Sequence, residues 1–184
     1  MKKRNQLTLI LLAILAVALF AACNDRKIEE ANKFVDSANK KVDEAKGLVT
    51  RAADSFTSIT KDLENFDEMK KARENEIKEL VKNYDKVLEL EKSAASDFVA
   101  AAKANSNEKF KAYYETSAKD VEKRAEIINQ SKELAQALLN SKDLESYSKK
   151  LETIQAKSDS LTKEGDALRE KLNKLEEEVK ALNK

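Results

Sequence analysis

From Ile28 onward, apolar residues recur at alternating spacings of three and four without a miss: Ile28, Ala31, Val35, Ala38, Val42, Ala45, Val49, Ala52, Phe56, Ile59, Leu63 and Phe66. This is a heptad seam, one apolar stripe along a helix that needs a second helix beside it. One row of the seam holds Ile, Val, Phe and Leu. The other opens with four alanines, Ala31 to Ala52, small enough to let a neighbouring helix come close. Gly47 lies off the seam, where it costs about 1 kcal/mol relative to Ala. The next two seam positions are Lys70 and Arg73, and charges sit badly in a bundle core. Asn65-Phe66-Asp67 just before them includes helix-capping types. A turn is therefore expected within 65–73. The alternative is one helix continuing to residue 103, because the register resumes unshifted through Ile77, Leu80, Tyr84, Val87, Ala94, Phe98 and Ala101, with Glu91 as one polar interruption.

Ala104-Asn105-Ser106-Asn107 is the clearest break, and Asn105 with Glu108 is close to a capping box. A third helix follows through Phe110, Tyr114, Ala118, Val121, Ala125, Ile128, Ala135 and Leu139. Ile127, Leu134 and Leu138 widen its apolar face, which suits burial among several helices. After Asn140-Ser141-Lys142-Asp143 the heptad returns in its strictest form: Leu144, Tyr147, Leu151, Ile154, Leu161, Leu168, Leu172, Leu175, Val179 and Leu182, with Ser158 and Gly165 completing the seam. Glu145–Lys149, Glu170–Lys174 and Glu176–Lys180 are i,i+4 pairs of the favourable orientation. A helix over 144–182 is about 58 Å long at the usual rise per residue.

Four seams of similar length predict an all-α, elongated bundle of four long helices, up-down-up-down, over 26–66, 69–103, 107–140 and 143–183. The alternative is an extended helical hairpin or coiled-coil oligomer in which 144–182 pairs with copies of itself. In the closed bundle the first and last helices run antiparallel, and positions summing to about 210 face each other. Ala45 is then expected near Gly165, and Ala52 near Ser158, with either close backbone approach or a cavity between them.

Composition agrees. The chain has no Pro, no Trp and two Gly, and is rich in Ala, Leu, Glu and Lys. Turns and strands draw on the first set and helices tolerate the second. Lys and Arg total 35 against 34 Asp and Glu, well mixed along the chain. Such mixing makes solvated helix faces and gives no basic footprint for nucleic acid. With one cysteine there is no internal disulfide, so stability has to come from helix packing.

The first 22 residues differ in kind. Lys2, Lys3 and Arg4 precede an apolar run from Leu7 to Ala22, which ends in Phe20-Ala21-Ala22-Cys23. A basic start, an apolar middle and small residues at a cut make an export signal. The four closing residues resemble the lipobox of bacterial lipoproteins, although Phe20 stands where that class usually has Leu. The resemblance covers the first 23 residues alone. It implies cleavage between Ala22 and Cys23, covalent acyl chains such as palmitate on Cys23, and a membrane-anchored body in the cell envelope. Two other readings stay open: an uncleaved membrane helix, for which the run falls short of about 20 apolar residues, and an ordinary secretory signal cut after Ala16-Val17-Ala18. Removing residues 1–22 leaves 162 of the 184 residues, enough for one domain over 23–184. The leader takes three of the 35 basic residues and none of the 34 acids, so the remainder holds 32 against 34, a net charge of −2. Asn24 or Asp25 is the expected cap of a body that begins almost at the anchor.

Catalytic chemistry is thinly represented. Without His there is no imidazole base and no usual zinc or haem ligand set. Two glycines build no phosphate-cradling loop. The carboxylates Glu29-Glu30 and Glu176-Glu177-Glu178 lie on polar stretches, and the many Ser and Thr have no base to activate them. No enzyme, metal or cofactor other than the lipid on Cys23 is expected. Tyr84, Tyr113, Tyr114 and Tyr147 are candidates to line a pocket, or else seam residues with rings packed and hydroxyls at the rim. Lys184 ends a heptad-bearing chain, as the terminal lysine of the small murein lipoprotein does before its link to peptidoglycan, but Leu182-Asn183-Lys184 replaces that family's usual Tyr-Arg-Lys. The expected function is structural or protein-binding, with a protein partner or self-association; the alternative is a carrier holding an apolar ligand or client between its helices, at a cavity lined by Ala45, Ala52 and Gly165.

Overall fold

The computed structural model describes the backbone of residues 2–182 and the side chains of residues 27–182. The chain runs as α1 (Lys2–Ile59), a 3-10 segment (Thr60–Asn65), α2 (Phe66–Ala72), α3 (Glu74–Ala104), α4 (Glu108–Asn140) and α5 (Leu144–Leu182). Among the described residues there is no strand, and the fold is an all-α bundle. In the full chain backbone helix α1 runs unbroken through Asn24 and Asp25, whose side chains lie outside those described.

The alanine row decides how α1 packs. Ala31, Ala38, Ala45 and Ala52 are fully buried or nearly so. They lie along α3, whose own small residues Ala94, Ala95, Ala101 and Ala102 are buried as well. Each helix then packs along the next: α1 on α3, α3 on α4, α4 on α5. The order is antiparallel throughout, because ion pairs join rising numbers on one helix to falling numbers on its neighbour. Between α3 and α4, Asp85 meets Lys132 (2.6 Å) and Glu91 meets Arg124 (3.3 Å). Between α4 and α5, Lys109 meets Glu178 (3.4 Å) and Lys123 meets Glu164 (2.8 Å).

The bundle is not closed. α1 and α5 do not run along one another, and α1 touches α4 only marginally. The small-residue pairings expected between Ala45 and Gly165, and between Ala52 and Ser158, are therefore corrected. Gly165 is buried against α4 instead, where an added methyl would meet Lys123 Cγ at 3.8 Å. Ala45 and Ala52 sit in a filled core with Leu48, Ile59, Ile77 and Leu80.

The chain leaves α geometry at Thr60, and the break reaches into the expected 65–73 window, where Asn65 and Arg73 flank α2 with non-helical angles. Asp62 (φ −107°, ψ 34°) and Asn65 (φ −106°, ψ 54°) take bridge-like conformations that break the ladder. The two seam charges are half-buried and tie this turn down. Lys70 Nζ donates to the Ser141 carbonyl in the α4–α5 turn (2.8 Å), and Arg73 donates back across the turn to Ser58 Oγ (3.4 Å). Phe66 and Met69 close the same end of the core, with the Phe66 ring 5.8 Å from that of Tyr147.

The other turns follow from side-chain caps. Asn107, not Asn105, caps α4: its Oδ1 accepts from the Lys109 N–H at 2.9 Å. Asn105 ends α3 and accepts from the Asn107 N–H (2.9 Å). Before α5, Asp143 Oδ1 accepts from the Ser146 N–H (2.8 Å), a bond that holds its carboxyl below the usual range. The i,i+4 pairs Glu145–Lys149, Glu170–Lys174 and Glu176–Lys180 all form, at 2.6, 2.7 and 2.9 Å.

Candidate functional site

Cys23, Ala22 and Lys184 lie outside the residues whose side chains are described. Among the described residues no helix is long and apolar enough to cross a membrane. The four tyrosines do not converge. Tyr84 and Tyr147 belong to one part of the core, Tyr114 to another, and Tyr113 packs beside Tyr114 with ring centroids 5.6 Å apart. Burial raises the phenol of each, that of Tyr147 to about 12. These are packing tyrosines.

The open side between α1 and α5 gathers charge. A cleft of about 300 Å³ lies there, floored by Glu91, Arg124, Ile127 and Ile128 of the α3–α4 hairpin. Its walls are Lys46 and Val49 of α1 and Arg169 of α5. Glu91 occupies a seam position of α3 and is only 2% exposed. Arg124 donates to its Oε2 at 3.3 Å. Asp120 lies one turn before Arg124, at 3.6 Å from Arg124 Nε, and Arg169 Nε approaches its other oxygen at 3.8 Å. The last two are ion pairs without hydrogen bonds, and Asp120 Oδ1 and Arg124 Nε have no hydrogen-bond partner among the described residues. Burial lifts the Glu91 carboxyl above the usual range; the Arg124 charge opposes that lift and the Asp120 charge adds to it.

Glu91 is the residue that sequence reasoning passed over as an interruption. A single acid on an otherwise unbroken apolar seam was the signal, since a buried carboxylate needs a cationic partner. Arg124 gave no signal of its own. What the cluster does chemically is hold charge inside a low-dielectric wall. Among the described residues no group of three His, Cys, Asp or Glu is placed to hold a metal ion.

A second, larger groove of about 750 Å³ opens where α3, α4 and α5 meet, with Leu88, Ala125 and Leu161 as its apolar lining and Lys92, Glu122, Glu126 and Lys157 around them. The cavity anticipated at Ala45, Ala52 and Gly165 is not formed, because α1 and α5 do not face each other there.

The two outer helices keep apolar surface. On α1, Val35, Val49 and Phe56 are half-buried. On α5 the strict leucine seam is buried only at Tyr147, Ile154 and Gly165. No protein-family model, curated protein or solved structure matches the chain.

Proposed function

We propose that this is a lipid-anchored helical protein of the bacterial cell envelope, held in the membrane through Cys23, with a structural or protein-binding role and no catalysis. The observation that carries the binding part is the half-covered seam of α5, an apolar stripe with a neighbour on one side only. The anchor rests on the resemblance of Phe20-Ala21-Ala22-Cys23 to a lipobox, with Lys2, Lys3 and Arg4 ahead of the apolar run. The non-catalytic reading rests on the sequence, which holds no His to act as a base. The Glu91–Arg124 cluster is accounted for as a buried ion pair that joins α3 to α4.

The intact mass of the protein extracted from membranes tests the anchor. A chain starting at Cys23 and heavier by acyl groups is expected, and Cys23→Ala should release most of the protein from the membrane fraction. A chain beginning at residue 19 without lipid would sink the reading. The groove by Leu88, Ala125 and Leu161 favours a second reading, a carrier of an apolar ligand. Co-purified lipid in stoichiometric amount, lost in Ala125→Arg, would put that reading first. The peptidoglycan link through Lys184 predicts a murein-bound fraction that survives boiling in detergent.

A further inference from the structure

Among the described residues three large apolar side chains are exposed: Ile28 (43%), Leu144 (37%) and Leu182 (47%). A lone exposed leucine is ordinary on a protein surface, and Leu144, by itself at the start of α5, is one. Ile28 and Leu182 lie far apart in the chain, yet they share one end of the bundle. Ile28 lines a cleft of about 300 Å³ with Phe110 of α4 and with Asn105, Ser106 and Asn107 of the α3–α4 turn. Glu178 pairs with Lys109 in the first turn of α4 (3.4 Å). Leu182 stands one helical turn beyond Glu178, which carries it to the same α3–α4 turn.

This is also the end nearest Cys23. Ile28 follows Cys23 by five residues on the unbroken backbone of α1, about 8 Å along the helix axis. The link is Asn24-Asp25-Arg26-Lys27, without the Gly, Ser or Pro of a loose tether.

We infer that this end of the bundle rests on the lipid surface, with Ile28 and Leu182 set into the headgroup layer and the α3–α4 turn against it. The inference rests on the envelope reading proposed above, in which acyl chains on Cys23 lie in the leaflet. A headgroup layer is roughly 5–8 Å deep. A stiff link of about 8 Å brings Ile28 to its outer edge and holds the bundle no further off. Leu182 is delivered by no such link, because it belongs to α5. It reaches lipid when the bundle stands end-on, and its contact fixes that orientation. A small apolar contact suffices, since the anchor already supplies a high effective concentration. Charge plays a minor part. The exposed Lys27, Lys103 and Lys109 share this end with the exposed Glu29, Glu30 and Glu108, so contact is expected on zwitterionic lipid without added anionic lipid.

Depth quenching of the full lipidated chain in phosphatidylcholine vesicles tests this. Bimane is placed at Ser106→Cys or Ala181→Cys, on elements other than α1, and at Lys142→Cys at the far end; acylation keeps Cys23 from the label. Phosphatidylcholine carrying a shallow doxyl group should quench the first two to a similar extent and leave the third unchanged. Adding Ile28→Glu with Leu182→Glu should lower the quenching at Ala181 several-fold while the protein stays in the membrane fraction. Both substituted positions are exposed, so the core is left alone. A membrane-bound chain with no quenching at Ala181 overturns the inference and leaves the anchor standing. So does quenching that the two glutamates do not alter, which the tether alone would give, and so does equal quenching at Lys142, the mark of a bundle lying on its side. A chain that washes off the membrane in carbonate overturns the anchor, and the end-on contact with it.

Discussion

Arg124→Ala is expected to destabilise the bundle by about 3 kcal/mol at neutral pH, the cost of leaving a buried carboxylate without its partner. Glu91 has 3% of its side chain exposed and Arg124 is the cation hydrogen-bonded to it. The loss should depend on pH in a definite direction. Burial already lifts the folded-state pKa of Glu91 above its ordinary 4.5, and removing Arg124 lifts it further. A raised acid favours the fold while protonated, so its stability is fully present below 4.5 and is lost as pH rises through the folded pKa. The gap between Arg124→Ala and the parent chain in urea melts should therefore be small near pH 4 and widen toward pH 7. Replacing both partners, Glu91→Leu with Arg124→Leu, should recover most of the loss, since a packed apolar pair avoids the desolvation that the ions suffer. A loss below about 1 kcal/mol, equal at both pH values, would show that Glu91 reaches water once Arg124 is gone.

The same pair explains what the sequence reveals and what it leaves out. A seam states that one face of a helix is apolar; it does not name the helix that covers it. The two later turns are legible because their residues act locally. Asn107 and Asp143 cap with their own side chains, within three residues of where they stand. The packing partner of α1 is not legible. Its alanines invite any close neighbour, and three successive turns join each helix to the next, so α3 takes that face. Closing the bundle would then require α5 to cover Val49 of α1 across a cleft where Lys46 and Arg169, two like charges, stand on opposite walls above Glu91 and Arg124. Desolvating those charges opposes closure. Seam strictness and burial part company for this reason: the loosest seam, on α4, lies between two helices, while the strictest, on α5, packs on one. Lys70 shows the converse. Read as a break in the core, it is a tie between two turns, because its long stem lets the ammonium reach the Ser141 carbonyl.

Tyr147→Ala should cost about 3–5 kcal/mol, the range for truncating a buried aromatic ring. Tyr147 is 2% exposed, packs its ring near that of Phe66 and shares a core with Met69 and Leu138. It therefore joins the turn after α1, the end of α4 and the start of α5, three segments far apart in the chain. Tyr147→Phe keeps the ring and should change stability at pH 7 by less than about 1 kcal/mol. Alkali separates the two. Burial holds the phenol at about 12 in the folded chain against 10.0 in the open one. Between those values the unfolded state has released the proton and the folded state has not, so the fold binds more protons and loses up to about 1.4 kcal/mol for each pH unit climbed. Tyr147→Phe removes the hydroxyl and with it this titration. The variant and the parent chain, nearly matched at pH 7, should diverge above pH 10, with the variant now the more stable. Lysines and the other buried tyrosines weaken both proteins alike there, so the difference isolates this one hydroxyl. Melting curves that stay matched at pH 11 would mean that the Tyr147 hydroxyl ionises within the native fold, at the rim rather than in the core.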